Sequence, residues 1–424
     1  MKKQDLWQLL EQNALLLDGA TGTRLQQAGM PTGVCPETWV LEHPDVLTSL
    51  QLSYLNAGSS IVYAFTFGAN RTKLTRHQVP PSQTEAINRQ LALISIAARD
   101  AFRKAHPERM VQVAGDLAPT GLFLKPAGDL DFEDLVAIYR EQVRGQLAAG
   151  VDLFVVETMM DLAQTRAAVL AVQAECQHPV LASMTVAENG RTLSGDTVQA
   201  CMLTLASLGV AAFGLNCSFG PEKMLELMRP LGELSPVPLL LKPNAGLPQL
   251  INGRTEFPMG PEDFAAAMAA AIPGGIRLLG GCCGTGPRHI AALNRKRSAQ
   301  HAPAIAHPSD CGNWICATRS CVQLDNPSPL PVLKADDWDS LPDQAMDAQD
   351  DEPPALVLDC SGLAPDARPD LSDLQAMSPL PLVFSGCRGD LLSHLLRQYH
   401  GRAAVWTDEP HVPYGALRLP ATGR

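Results

Sequence analysis

Charge and aromatic rings are both scarce in this chain. Charged residues make up 18% of its 424 positions and aromatic residues 5%. Acidic side chains outnumber basic ones 44 to 33, a net charge of −11. That argues against a dedicated nucleic-acid binder, whose footprint would be basic. Long apolar runs are missing too. The longest, Phe264 to Ile272, stops at Pro273 and falls well short of the roughly 18 residues that cross a bilayer, so no membrane partner is expected. The start, Met1-Lys2-Lys3-Gln4-Asp5, has no apolar core and no cleavage site, so no export signal is read and a cytoplasmic location is expected. In that compartment the eleven cysteines are ligands or core thiols and not a disulfide framework. What the chain does have is 46% hydrophobic residues, enough to bury a sizeable core.

From residue 1 to 297, short apolar runs alternate with helix-length segments. The candidate strands are 14–17, 61–65, 111–114, 153–156, 180–184, 211–215, 239–241 and 276–279. Their nearly uniform apolar character suits parallel strands covered on both faces. Eight such units over about 300 residues predict an α/β fold, a (β/α)8 TIM barrel, with a doubly wound sheet as the competing count. Residues 298–354 read as a linker followed by an acidic loop, since 335–352 holds eight acidic residues and no Lys or Arg. Residues 355–424 read as a small C-terminal α/β region, with strands at 355–358, 382–384 and 403–406 and a helix at 390–399.

Polar residues gather where the barrel strands end. Asp18-Gly19 follows the first strand, Thr66 the second, Asp116 the third and Glu157 the fourth. Cys217 follows the sixth, Asn244 the seventh and Cys282-Cys283 the eighth. In a barrel all of these lie on the face that carries active sites. Gly280-Gly281 and Gly284 let the backbone turn, so that the thiols of Cys282 and Cys283 can converge with Cys217. Three thiolates with an open fourth position would suit a catalytic zinc. Buried unrelated thiols or a redox pair are the alternatives that spacing leaves open. A zinc site carrying three thiolates is a poor generator of hydroxide. It would instead hold a substrate thiol deprotonated yet nucleophilic, which suits alkylation at sulfur.

Six segments in order carry a resemblance: Asp18-Gly-Ala-Thr-Gly-Thr23, Glu157-Thr158, Gly190-Arg-Thr-Leu-Ser-Gly195, Phe213-Gly-Leu-Asn-Cys217, Pro243-Asn-Ala-Gly246 and Gly280-Gly-Cys-Cys-Gly-Thr285. Together they resemble the homocysteine S-methyltransferases, most of all the homocysteine-binding module of cobalamin-dependent methionine synthase. The resemblance covers residues 10 to 297. It implies a zinc-dependent enzyme that forms methionine, with Cys217, Cys282 and Cys283 as zinc ligands and the homocysteine thiolate as the fourth. It also implies that Asp18, Gly19, Ala20, Thr66 and Glu157 surround the amino-acid end of homocysteine, Glu157 facing the ammonium and the Gly19–Ala20 amides the carboxylate. Tyr63 stands where the family usually carries Glu or Gln, Phe65 replaces a commonly polar residue, and Asp116 replaces a serine.

The methyl donor is not written in these motifs. The corrinoid-binding pattern Asp-x-His-x-x-Gly is absent, and the residues after Arg297 are too few for a second barrel of about 250 residues. Methylcobalamin would therefore arrive on a separate corrinoid protein, with S-methylmethionine or betaine as other donors. A noncatalytic zinc- or thiol-binding barrel, acting as a partner in a corrinoid methyl-transfer system, is the alternative function.

Overall fold

The structure is a computed structural model that describes residues 2–251, 254–298, 310–325 and 330–420. Each of the eight apolar runs forms a strand: β1 (Leu15–Leu16), β2 (Ile61–Tyr63), β3 (Gln112–Leu117), β4 (Leu153–Met159), β5 (Val180–Met184), β6 (Ala212–Cys217), β7 (Leu239–Pro243) and β8 (Ile276–Leu279). They pair in parallel in chain order, with β8 returning to β1. A parallel bridge from Leu17 to Ile61, and a 2.7 Å bond from Ser60 N–H to the Leu16 carbonyl, join β1 to β2 and close the ring. The fold is the expected (β/α)8 barrel.

The two-residue period of a strand divides the core in two. Ile61, Ala114, Val155, Leu181, Ala212, Leu240 and Leu278 pack together inside the barrel. Their neighbours Val62, Val113, Phe154, Leu239 and Leu241 belong to the larger cluster under the surrounding helices. One step further along each strand the same inward face turns polar: Tyr63 on β2, Asp116 on β3, Glu157 on β4, Ser183 on β5, Asn216 on β6 and Lys242 on β7. Fold and site are thus successive layers of one pattern.

The C-terminal region departs from the sequence expectation. A parallel sheet holds β9 (Val332–Lys334), β10 (Leu356–Asp359), β11 (Leu382–Ser385), β12 (Ala404–Trp406) and β13 (Leu417–Leu419) in sequential order. The α/β unit therefore begins at 332 and not at 355. The acidic segment expected as a loop contains a helix, Leu341–Gln349, whose Leu341 and Ala345 are buried. These two residues, one helical turn apart, are its only buried positions, too narrow a stripe to stand out among eight acids. Of the expected linker, residues 299–309 lie outside the described residues. Residues 314–323 form an antiparallel hairpin, Trp314–Cys316 with Cys321–Gln323. Cys311 and Cys316 join the barrel's own hydrophobic cluster, so this stretch is part of a packed seam.

Buried arginines stitch that seam. Arg402 donates to the carbonyls of Cys311, Gly312, Trp314 and Gly415. Arg166, on the barrel helix Leu162–Glu175, donates to the carbonyls of Leu396 and Arg397 at 3.2 Å each. No described helix is long and apolar enough to cross a membrane.

Candidate active site

Above the polar layer, at the carboxyl ends of the strands, lies a cavity of about 430 Å³. Asp18, Gly19, Ala20, Tyr63, Phe65, Asp116, Glu157, Lys242 and all three of Cys217, Cys282 and Cys283 line it. The ligand atoms of the three cysteines lie within 4.8 Å of one another. Among the described residues no other group of three His, Cys, Asp or Glu side chains comes together in this way.

Local backbone explains how the sulfurs converge. Cys217 and Ser218, at the end of β6, take φ of 65° and 57°, values rare for residues with a side chain. They turn the chain sharply as it leaves the barrel. Gly284, φ 79°, does the same after β8, where a Cβ would stand 2.3 Å from Phe257 Cβ. Asn244 Oδ1 accepts the Cys283 N–H at 3.0 Å, fixing one loop to the other. Hydrogen bonds from the Cys282 and Cys283 thiols pull Cys217 down to about 3. The bond to Cys217 is also the main cause that raises Cys283 to about 11, and Cys282 is raised for the same reason. Three soft donors converging beside a cavity, with no fourth protein ligand among the described residues, fit a zinc site left open to a thiol.

A second set of residues lining the cavity is charged and buried. Lys242 Nζ sits 2.9 Å from Asp18 Oδ1, 3.7 Å from Glu157 Oε2 and 3.7 Å from the centre of the Tyr63 ring. Burial alone would lower its pKa, but Asp18 and Glu157 more than offset that and hold it well above the usual lysine value. Asp18 Oδ2 accepts the Tyr63 N–H at 2.8 Å. Burial, then the Glu157 charge, pushes Asp116 well above the ordinary carboxylate range, and burial raises Glu157 as well. Space for Lys242 comes from Gly280, whose Cβ would lie 3.0 Å from Lys242 Cγ and 2.8 Å from Leu17 Cβ.

Two of the expected substrate-binding residues have partners within the protein. Thr66 does not line the cavity. Its hydroxyl donates to the Asp116 carbonyl at 2.9 Å and accepts the Asp116 N–H at 3.1 Å, latching β2 to β3. Ala20 lines the cavity, but its amide is already committed to Thr285 Oγ1 at 3.1 Å and its carbonyl to the Tyr54 hydroxyl at 2.6 Å. A Cβ on Gly19 would meet Tyr54 Oη at 2.8 Å and Thr285 Oγ1 at 2.9 Å, so glycine is needed there for close approach. Lys242 lies inside the strand Leu239–Pro243 but just past the apolar run 239–241 by which the sequence marks it. A lysine two residues beyond the inward Leu240 was the available signal.

Thiols and buried carboxylates over one cavity, at the carboxyl ends of barrel strands, define a barrel enzyme. The homocysteine S-methyltransferase family model matches residues 15–297. Methionine synthase of Mycobacterium tuberculosis is 31% identical over 95% of this chain, and that of Mycobacterium leprae 35% over 68%. The chain spans 36% and 24% of those two relatives. The metallated form of homocysteine methyltransferase MmuM from Escherichia coli is similar with a TM-score of 0.58 and 26% identity, over 68% of this chain and 98% of its own. The chain belongs to the homocysteine S-methyltransferase family.

Proposed function

We propose that this chain is a zinc-dependent homocysteine S-methyltransferase that forms methionine. The observation that carries this reading is the convergence of the Cys217, Cys282 and Cys283 sulfurs within 4.8 Å at a cavity also lined by buried charges. Zinc held by these three thiolates would keep a substrate thiol in its nucleophilic, deprotonated form. The residues of the chain do the rest. Asn244 and the turns at Cys217 and Gly284 hold the three sulfurs on one side of the cavity. Buried acids opposite them supply acceptors for an ammonium, and Glu157 Oε2 has no hydrogen-bond partner of its own. Gly19, where a side chain would clash with Tyr54 and Thr285, lines the same cavity and would offer its backbone to a carboxylate. Apolar walls, including Met30, Phe65 and Phe67, keep water from the sulfur while it is alkylated.

For the donor, the sequence resemblance to cobalamin-dependent methionine synthase favours methylcobalamin carried by a separate corrinoid protein; the methionine synthase match runs over 95% of the chain, whereas that to the Escherichia coli enzyme covers 68%. The test is zinc content and methionine formation by wild type and Cys283→Ala, with methylcobalamin, S-methylmethionine and betaine offered in turn. Stoichiometric zinc with turnover on one donor supports the proposal. Zinc without turnover on any donor would sink the enzyme reading and leave a noncatalytic zinc-binding barrel.

A further inference from the structure

Away from the barrel mouth, two further cysteines face each other. In the hairpin of Trp314–Cys316 with Cys321–Gln323, Cys316 stands directly opposite Cys321. The N–H and carbonyl of Cys316 both turn away from that partner and bond to the backbone of Arg402, at 2.8 and 2.9 Å. Cys316 and Cys321 are therefore a non-hydrogen-bonded pair. In this class opposite α-carbons stand about 4.5 Å apart, with both side chains on one face. A disulfide bridges α-carbons about 4.4–6.8 Å apart. We propose that Cys316 and Cys321 form a reversible disulfide clasp across this hairpin, made by exchange with a low-molecular-weight disulfide.

The surroundings hold the two thiols ready. Behind Cys316, the Tyr399 hydroxyl donates to its carbonyl at 3.0 Å, beside the two Arg402 bonds. At the hairpin tip, Thr197 N–H donates to the Thr318 carbonyl at 3.0 Å, and the Ser320 hydroxyl donates to the Pro379 carbonyl. Thr197 opens the barrel helix Val198–Ser207, and Pro379 leads into β11. The tip thus reaches the barrel on one side and the C-terminal sheet on the other. With the backbone fixed on both sides, closing the bond calls for side-chain rotation and little backbone movement. A closed clasp ties together the two ends of the turn 317–320, which spans the seam.

Burial sets the order of events. Cys321 is partly exposed, whereas Cys316 is fully buried. Burial, then the hydrogen bond with Cys321, raises the Cys316 thiol well above the usual range. Cys321 is accordingly the thiol that an outside disulfide meets first. Its thiolate attacks one sulfur of the small disulfide, which leaves a mixed disulfide on Cys321 and expels one thiolate. Cys316 then gives up its proton, attacks Cys321 Sγ and expels the second thiolate. The protein pair loses two electrons and two protons, and the small disulfide gains them as two thiols. In a compartment kept reducing such a bridge is transient and redox-sensing, unlike the structural framework that the sequence argues against.

Peptide mapping of the zinc-loaded full chain tests this, after equilibration with mixtures of reduced and oxidised glutathione and alkylation of free thiols. Trypsin cuts after Arg319, between the two cysteines, so the clasp would hold peptides 298–319 and 320–334 together until they are reduced. Fragmentation of the linked peptides should assign the bond to Cys316 and not to Cys311. Cys321→Ser, or Cys321→Ala if the serine variant does not fold, should abolish the link. The ratio of clasped to open hairpin should be at least about tenfold higher in the folded chain than in denaturing urea, because a bond that fits the fold is favoured by it. An equal or lower ratio in the folded chain would overturn the proposal. So would a glutathione adduct that persists on Cys321, or a link from 320–334 to any sulfur other than Cys316.

Discussion

Arg402 in the seam beneath the C-terminal sheet and the Asp116 and Glu157 carboxyls in the barrel mouth are all buried charges, but they are used in opposite ways. In the seam, Arg402 is 7% exposed and directs its guanidinium at four backbone carbonyls. In the mouth, Asp116 and Glu157 are about as deeply buried, yet each retains an oxygen without a donor. A buried charge whose partners are complete holds two pieces of chain together and has nothing left to offer. A buried charge whose partners are incomplete is poised for something that arrives later.

The largest expected break in this comparison comes from the thiol cluster. Cys283→Ala should lower zinc content below one per chain and reduce methionine formation by more than about 100-fold, the upper end of what losing a mere supporting contact costs. Metal analysis and product formation check it. Next is Lys242→Met, which strands Asp18 without its cation. It should destabilise the fold by about 3–5 kcal/mol in urea unfolding, with part of the loss recovered when Asp18→Asn is added. Arg402→Met should cost about 1–3 kcal/mol through carbonyls left unpaired. Zinc content and KM should not move, and that separation is the sharpest check on the contrast drawn here.

The smallest effect is a pH dependence in the seam. Burial, reinforced by the Arg166 charge and opposed by Asp161 and Asp370, lowers His400 from 6.5 to about 4. The unfolded chain then binds a proton that the folded chain refuses. His400 thus costs nothing above about pH 6.5, and stability is lost as pH falls from there to about 4. His400→Phe should flatten that part of the stability curve, measured by urea unfolding at several pH values.

How far these two regions could be read from sequence differs for a physical reason. Barrel strands buried on both faces announce themselves as apolar runs, and β5 and β8 coincide with their expected spans, Val180–Met184 and Ile276–Leu279. The three cysteines were legible because glycines flank two of them. The roles of Thr66 and Ala20 were not. Their partners, the Asp116 backbone and the Thr285 hydroxyl, lie 50 and 265 positions away, and only the closed ring brings them together. In the C-terminal sheet, β9 and β13 have three residues each, too short for a periodicity to show. The helix Leu341–Gln349 was hidden by its own acidic residues.

The ring is closed between its first and second strands by few links: the Leu17–Ile61 bridge, the Ser60–Leu16 bond, the bond from the Ser59 hydroxyl to the Leu17 carbonyl, and the bond from Tyr63 N–H to Asp18. The last of these belongs to the active-site layer. Drift at Asp18 would therefore be punished first as a failure to fold, whichever substrate is present, and a selection for altered specificity would rarely recover changes there. Asp116 is held instead by its backbone, through Thr66 and Gln146, so a change of its side chain leaves these ring contacts in place.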